Sequence, residues 1–184
     1  MVVPEGVPAG TSYPTYIPDD FSDIHLDSVK VDEATSNVLR VEDAVNTVIE
    51  DCYFASSWNE PYARGIELLD DRGTIVKDCS VSGFNLGIFL NGLSDALIQG
   101  CTVENNNYGL RLWHYGHPSH NPDPDLGGGT RGGTGGNVIR NNVVCGLTNL
   151  TENTIYAKYN TWTNDPPVDG EDICNEGTGE VLWE

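Results

Sequence analysis

One apolar spacing recurs along the chain. Asn46-Thr-Val-Ile-Glu-Asp-Cys-Tyr-Phe54 is followed by Gly73-Thr-Ile-Val-Lys-Asp-Cys-Ser-Val81, by Asp95-Ala-Leu-Ile-Gln-Gly-Cys-Thr-Val103 and by Gly136-Asn-Val-Ile-Arg-Asn-Asn-Val-Val144. Inward candidates fall three and then two positions apart: Ile49/Cys52/Phe54, Val76/Cys79/Val81, Ile98/Cys101/Val103 and Ile139/Asn142/Val144. Leu26/Val29/Val31 fits at the front and Ala157/Asn160/Trp162 at the back. A second segment repeats in step: Leu39-Arg-Val41, Gly65-Ile-Glu-Leu68, Gly87-Ile-Phe-Leu90 and Gly109-Leu-Arg-Leu112. Its period-2 alternation reads as a short strand. A repeat near 22 residues holding two short strands is too short for a propeller blade or a pair of helices. It suits one coil of an all-β solenoid, in which stacked coils pair their backbone edges about 4.8 Å apart and close a shared core. About six coils are expected, with an axial length of roughly 25–30 Å. Corners should fall at Asn105, Asn106, Asn107, Gly83 and Gly92, where positive φ is needed.

The repeat gives the cysteines a place. Cys52, Cys79 and Cys101 hold one coil position, and Asn142 extends the row. They should stack inward as small, weakly polar groups rather than serve redox or metal chemistry. Cys145 and Cys174 fall outside the row, and in an oxidising compartment a disulfide between them would tie the tail to the last coils. Residues 1–21 carry Pro at 4, 8, 14 and 18 and read as an irregular lead-in or cap, with the solenoid over 22–184.

Composition narrows the partners. The chain has 184 residues, 9 Lys and Arg against 28 Asp and Glu, and a formal charge of −19. That balance excludes nucleic-acid binding through a basic face and argues against docking on an anionic leaflet. No run approaches the roughly 20 apolar residues of a membrane span. The first twenty residues do not read as an intact signal peptide.

The repeat pattern, x-Ile-x-x-Cys/Asn-x-Val followed by Gly-Ile-x-Leu, resembles the right-handed parallel β-helix repeats of the pectin-lyase-like superfamily. The tail Ala157-Lys-Tyr-Asn-Thr-Trp-Thr-Asn-Asp-Pro-Pro167 with Glu180-Val-Leu-Trp-Glu184 resembles the closure of secreted bacterial β-helix proteins. The resemblance implies a right-handed parallel β-helix at the bacterial cell surface or outside the cell. It also implies a lateral groove that takes polysaccharide. The family's enzymes have more coils, so it further implies a short member or the C-terminal piece of a larger secreted protein.

Chemistry is sought on outward columns of the second strand. One column is Arg40, Glu67, Phe89, Arg111; the next is Glu42, Leu69, Asn91, Trp113. Asp43, Asp70, Gly92 and His114 follow, then Ala44, Asp71, Leu93 and Tyr115. The expected substrate-binding face is Glu67, Asp70, Asp71, Asn91, Arg111, Trp113, His114 and Tyr115, beside an insertion over 117–135. Aromatic faces there would stack on sugar rings, while the same aromatics read equally as a cover for the loop. Stacked carboxylates, Asp43 on Asp70 and Asp51 on Asp78, repel one another, and calcium, a hard cation that prefers oxygen ligands, would relieve them. Asp43 and Asp70 are therefore the expected calcium ligands. The competing reading is hydrated acids splaying apart, with Lys77 beside Asp78 neutralising one pair. His114, His117 and His120 with Asp123 and Asp125 read as solvated loop residues. Leu68-Leu-Asp-Asp71 is similar to the paired aspartates of polygalacturonases, but the accompanying motifs of that family are missing, so no catalytic residue is carried over. Asn149-Leu-Thr151 is a glycosylation sequon without meaning in a bacterial protein. The face is expected to bind a polysaccharide, with processing by lyase or glycoside-hydrolase chemistry left open; the alternative is a structural or adhesive solenoid that self-associates through its end coils.

Overall fold

The computed structural model describes residues 15–17 (backbone only), 22–57, 60–114 and 119–184. Every described element is a strand or a turn. The strands are β1 (Thr15–Ile17), β2 (His25–Asp27), β3 (Lys30–Val31), β4 (Leu39–Glu42), β5 (Val48–Glu50), β6 (Tyr53–Ala55) and β7 (Arg64–Leu69). Then come β8 (Ile75–Lys77), β9 (Ser80–Ser82), β10 (Leu86–Asn91), β11 (Leu97–Gln99), β12 (Thr102–Glu104) and β13 (Tyr108–Trp113). The last are β14 (Val138–Arg140), β15 (Cys145–Asn149), β16 (Ile155–Tyr156), β17 (Thr161–Trp162), β18 (Ile173–Asn175) and β19 (Val181–Leu182).

They form three parallel sheets. The front sheet runs β1-β4-β7-β10-β13-β15-β18, and the side sheet runs β3-β6-β9-β12-β14-β17. The back sheet runs β2-β5-β8-β11 and continues through a bridge at Asp125 to β16 and β19. Back, side and front strands follow one another in chain order, giving six complete coils from β2 to β18. The front sheet gains a seventh strand because β1 pairs with β4, Thr15 beside Leu39. The lead-in is thus not wholly irregular: Pro14 and Pro18 bracket a three-residue strand. Each coil also has three strands, not two. The first repeated segment bends at Asp51-Cys52 and its equivalents, splitting into a back strand and a side strand.

The inward rows match the repeat. Leu26, Ile49, Val76 and Ile98 line the back sheet; Phe54, Val81, Val103 and Ile139 line the side sheet; Ile66, Ile88, Leu110 and Leu147 line the front. All are buried, and each such side chain contributes about 1.5–3 kcal/mol of burial free energy. Gly65, Gly87, Gly109 and Gly146, second in β7, β10, β13 and β15, face this interior. A Cβ on Gly87 would lie 2.6 Å from the Gly109 carbonyl oxygen, and one on Gly146 would lie 2.6 Å from that of Asp172. The Gly-Ile-x-Leu motif is therefore a packing requirement.

Corners need left-handed residues, and many of the acids serve there. Asp43, Asp70 and Gly92 share one corner with φ of 49°, 51° and 68°; Asp51, Asp78 and Gly100 share another with 51°, 53° and 65°. Asp and Asn enter this region more readily than other side chains, since their short polar groups bond locally. Asn105 and Gly83 also have positive φ. Asn106 instead turns inward, where its side chain accepts from Phe84 N (3.0 Å) and donates to Val81 O (3.2 Å).

Cys52, Cys79 and Cys101 stack as expected, each buried and free. Their thiols donate to carbonyls one coil back, Cys79 to Ile49 and Cys101 to Val76, both at 3.5 Å. The neighbouring Cys101 thiol and burial push Cys79 up to about 12. The thiol of Cys79 and burial push Cys52 up as well. Asn142 does not extend this row. Asn137 does, accepting from Cys101 N at 3.0 Å, and Asn160 follows it. Ile139 pairs with Val103 rather than Ile98. Val144, read as inward, is 47% exposed. The insertion is accordingly in two parts. One precedes Asp125-Leu126, which fills the back-sheet place of its coil. The other, 127–136, separates Leu126 from Asn137. Its glycines wrap the Asp125 carboxylate, which accepts from the backbone N–H of Gly127, Gly129, Arg131 and Gly133 at 2.9–3.2 Å.

Cys145 and Cys174 form a disulfide between β15 and β18. The bond closes a loop of 29 residues, so Cys145→Ala/Cys174→Ala should lose about 3–4 kcal/mol of unfolding free energy in urea. A thiol reagent should label no cysteine in the native protein and three after denaturation without reductant.

Near the end of the chain, Asp172 is buried. Burial pushes its carboxyl up, but hydrogen bonds from Val168 N, Asn164 and Thr163 outweigh this and leave it below the ordinary carboxylate range. A depressed folded value means that the stabilisation is full above the unfolded value, about pH 4, and is lost as pH falls through the folded one. Wild type should therefore lose stability on acidification below about pH 4, and Asp172→Asn should flatten that limb of a urea-midpoint profile.

Candidate functional site

The front sheet presents its outward side chains as continuous rows because its strands pair in strict register. Arg40, Glu67, Phe89 and Arg111 are neighbours across β4, β7, β10 and β13, and Thr148 continues the row on β15. Glu42, Leu69, Asn91 and Trp113 form the next row. Both expected columns stand.

Charges on this face are paired unevenly. Glu67, almost fully buried, takes an ion pair from Arg64 and a longer one, 3.9 Å, from Arg40. Arg40 also donates to Glu42 at 2.9 Å. The Arg64 guanidinium lies 4.7 Å over the Phe89 ring, and Phe89 meets Trp113 at 6.3 Å between centroids. Arg111 lies 4.7 Å over the Tyr108 ring and makes no ion pair among the described residues; its buried Nε has no hydrogen-bond partner. Trp113 is 41% exposed. The face thus reads, along the axis, as a braced Arg–Glu–Arg group, then aromatic surface, then an uncommitted guanidinium. Such a row can hold a sugar ring by stacking and an anionic group by charge-assisted hydrogen bonds.

At the start of the front strands a groove of about 490 Å³ is lined by Thr35, Ser36, Asn37, Arg40, Glu60 and Arg64, with exposed Tyr62 beside it. Arg64 and this groove were missed from the sequence. Arg64 precedes the inward Gly65, at a position where other coils carry Leu86 and Tyr108, so the repeat gives it no polar signature.

The expected site residues divide. Glu67, Asn91, Arg111 and Trp113 share the outward face. Asn91 is spent locally, its Oδ1 accepting from Gly92 N at 2.9 Å. His114 sits at the end of β13 with a buried Nδ1 that has no partner. Asp70 belongs to the corner, where its Oδ1 accepts from Leu93 N at 2.8 Å. Asp71 is a correction: it points into the core with no exposed surface, because strict alternation fails where the chain turns. Burial pushes its carboxyl up. Tyr115 and His117 lie outside the described residues.

The calcium expectation can be tested against the donors. Asp43 and Asp70 stack at one corner, but Gly92 takes the third place and Asp70 already serves as a hydrogen-bond acceptor. Calcium asks for six to eight oxygens. Among the described residues no three His, Cys, Asp or Glu gather as a metal centre. Two corner carboxylates do not fit the ion, and no step is routed through it. Lys77 pairs with Glu50 on the neighbouring coil, not with Asp78. Asp125, grouped with the loop histidines, is instead the anchor of the glycine loop. Asn149 is fully buried, its side chain bonded to Thr151 and Asn175, so the sequon offers no accessible amide.

Removing Arg64 leaves the buried Glu67 with only its longer Arg40 contact. Arg64→Ala should cost about 3 kcal/mol in urea unfolding, and adding Glu67→Gln should recover most of it.

No curated protein and no solved structure matches the chain. Residues 19–166 match the family described as "right handed beta helix region". That match and the three parallel sheets agree with the pectin-lyase-like superfamily, and the chain belongs to the right-handed β-helix family.

Proposed function

We propose that this β-helix binds an acidic polysaccharide along the outward face of its front sheet and does not cleave it. The observation that carries this is Arg111: in a chain of net charge −19 with nine basic residues, a guanidinium stacked on Tyr108 carries no carboxylate partner among the described residues and stands in the row beside exposed Trp113. Arg40 and Arg64 place two more of the six arginines on the same face. Trp113 supplies the stacking platform, and Arg111 the partner for a sugar carboxylate or sulfate.

Cleavage finds less support. A glycosidase needs two carboxyl groups facing one another across the bond. Glu67 is held by Arg64, Asp70 caps a corner and Asp71 lies in the core. Location outside the cell or on its surface belongs to the same reading, and the Cys145–Cys174 disulfide supports an oxidising compartment. A second reading, a structural or adhesive solenoid, is favoured by the end coil: among the described strands β18 pairs with β15 and β19 with β16, and the outer edge of β18 is covered only at Ile173, by a bridge to Asp169. Open edges are templates for another chain.

The test is binding of the wild type to a panel of polyuronates, sulfated glycans and neutral glycans. Binding to acidic members should weaken with salt. Trp113→Ala should abolish it, and Arg111→Ala should reduce it about tenfold or more, both with unchanged circular dichroism. No binding by wild type, together with concentration-dependent association in sedimentation, would favour the structural reading instead.

A further inference from the structure

A second polar site lies inside the solenoid, at the corner where front strands turn into back strands. Inward positions there carry small and polar residues instead of the Leu, Ile and Val of other rows. Thr47 and Thr74 stack one coil apart, immediately before the paired Val48 and Ile75, and Ala96 precedes Leu97 in the next coil. Asp71 sits above Ala44, next to the bridged pair Val45 and Arg72, and Ser94 lies in the coil beyond. Ala44, Thr47, Asp71, Thr74, Ser94 and Ala96 all have no exposed surface.

The polar atoms of this corner satisfy one another only weakly: Ser94 and Thr74 reach the Asp71 carboxylate, but without full hydrogen-bond geometry. Both Asp71 carboxylate oxygens and the hydroxyls of Thr47 and Thr74 lack hydrogen-bond partners. The Ser94 hydroxyl bonds to the carbonyls of Leu68 (3.1 Å) and Asn91 (2.9 Å). The Ser94 and Thr74 hydroxyls favour the charged carboxylate, while burial and the negative charge of Asp95 oppose it. Asp95 is itself committed to Arg131 at 2.7 Å. Among the described residues no cationic side chain forms an ion pair with Asp71. Orphan buried polar atoms are rare in folded proteins, and four in one corner call for a ligand. A fully buried carboxylate in turn calls for a positive charge or a proton.

We infer that this corner holds a monovalent cation of sodium's kind, ligated by the Asp71 carboxylate and the Thr47 and Thr74 hydroxyls. The donors are all oxygen, which selects a hard ion. The single carboxylate balances one positive charge. The ion bridges successive coils and joins the front sheet to the back sheet. This site is independent of the polysaccharide face: it faces inward and shares none of its ligands.

The test is thermal unfolding of the full chain in choline chloride, exchanged stepwise for sodium, potassium or lithium chloride at constant ionic strength. A saturable, size-selective rise of about 3–5 °C in Tm at tenfold excess over the dissociation constant is expected. Asp71→Asn should abolish it, Thr74→Val should weaken it, and Asp43→Asn, at the surface corner, should leave it intact. Equal Tm in sodium and choline overturns the inference, as does a sodium effect that survives in Asp71→Asn. If Asp71→Asn does not fold, an undiminished effect in Thr74→Val decides against it. A wild-type Tm that falls alike in both salts between pH 6 and pH 9 shows that Asp71 carries a proton instead, and also overturns it.

Discussion

Everything in this protein depends on parallel backbone pairing between successive coils. Because each coil lies in register on the one before, an inward position in one coil is inward in the next, and the sequence is read as rows running along the axis. The cost of that order is concentrated at the corners, where the chain must turn within two or three residues and adopt positive φ. Asp43, Asp51, Asp70, Asp78 and Asn105 meet that need together with Gly83, Gly92 and Gly100. Part of the chain's acidity is thus a by-product of its geometry: Asp tolerates the left-handed region and bonds to a neighbouring N–H. These acids signal turns before they signal ligands.

The same register decides what chemistry the surface can carry. A row of outward side chains one strand spacing apart can hold opposite charges together or let unlike groups stack, but it cannot relax away from a poor neighbour. Arg40, Arg64 and Glu67 use the spacing to neutralise a buried carboxylate. Arg64 on Phe89 and Arg111 on Tyr108 use it to lay guanidinium on aromatic surface. What a ligand can use at the end of the row is a guanidinium without an ion pair among the described residues beside an exposed ring, which is why Arg111 and Trp113 matter more than the larger number of acids nearby.

How much of this was legible follows from where the repeat holds. Between residues 39 and 113 the coils have nearly constant length, so the Cys52/Cys79/Cys101 row and both outward columns could be read directly. Beyond Trp113 the coil is enlarged in two places. Ile139-x-x-Asn142-x-Val144 fits the three-then-two spacing by coincidence, while the true copy is split, with Leu126 far from Asn137 and Ile139. A template that counts spacing cannot see a copy interrupted by a loop. Asp71 failed for another reason. Alternation assigns direction only while the chain is extended, and one residue past the corner at Asp70 the rule has no force. Thr15–Ile17 was hidden because three residues between two prolines are too short to show a period.

The two errors of direction are instructive because they point opposite ways. Val144, taken as core, is at the surface; Asp71, taken as surface, is in the core. The first is tolerable, since a lone exposed valine costs little. The second is not, because a buried carboxylate without a counter-charge costs more than any single packing contact in the solenoid gains. The Asp71 corner must therefore contain its own neutralising partner. In a scaffold whose side chains are fixed in rows, and with no ion pair to Asp71 among the described residues, the cation inferred above takes that place unless the carboxyl is held neutral by a proton.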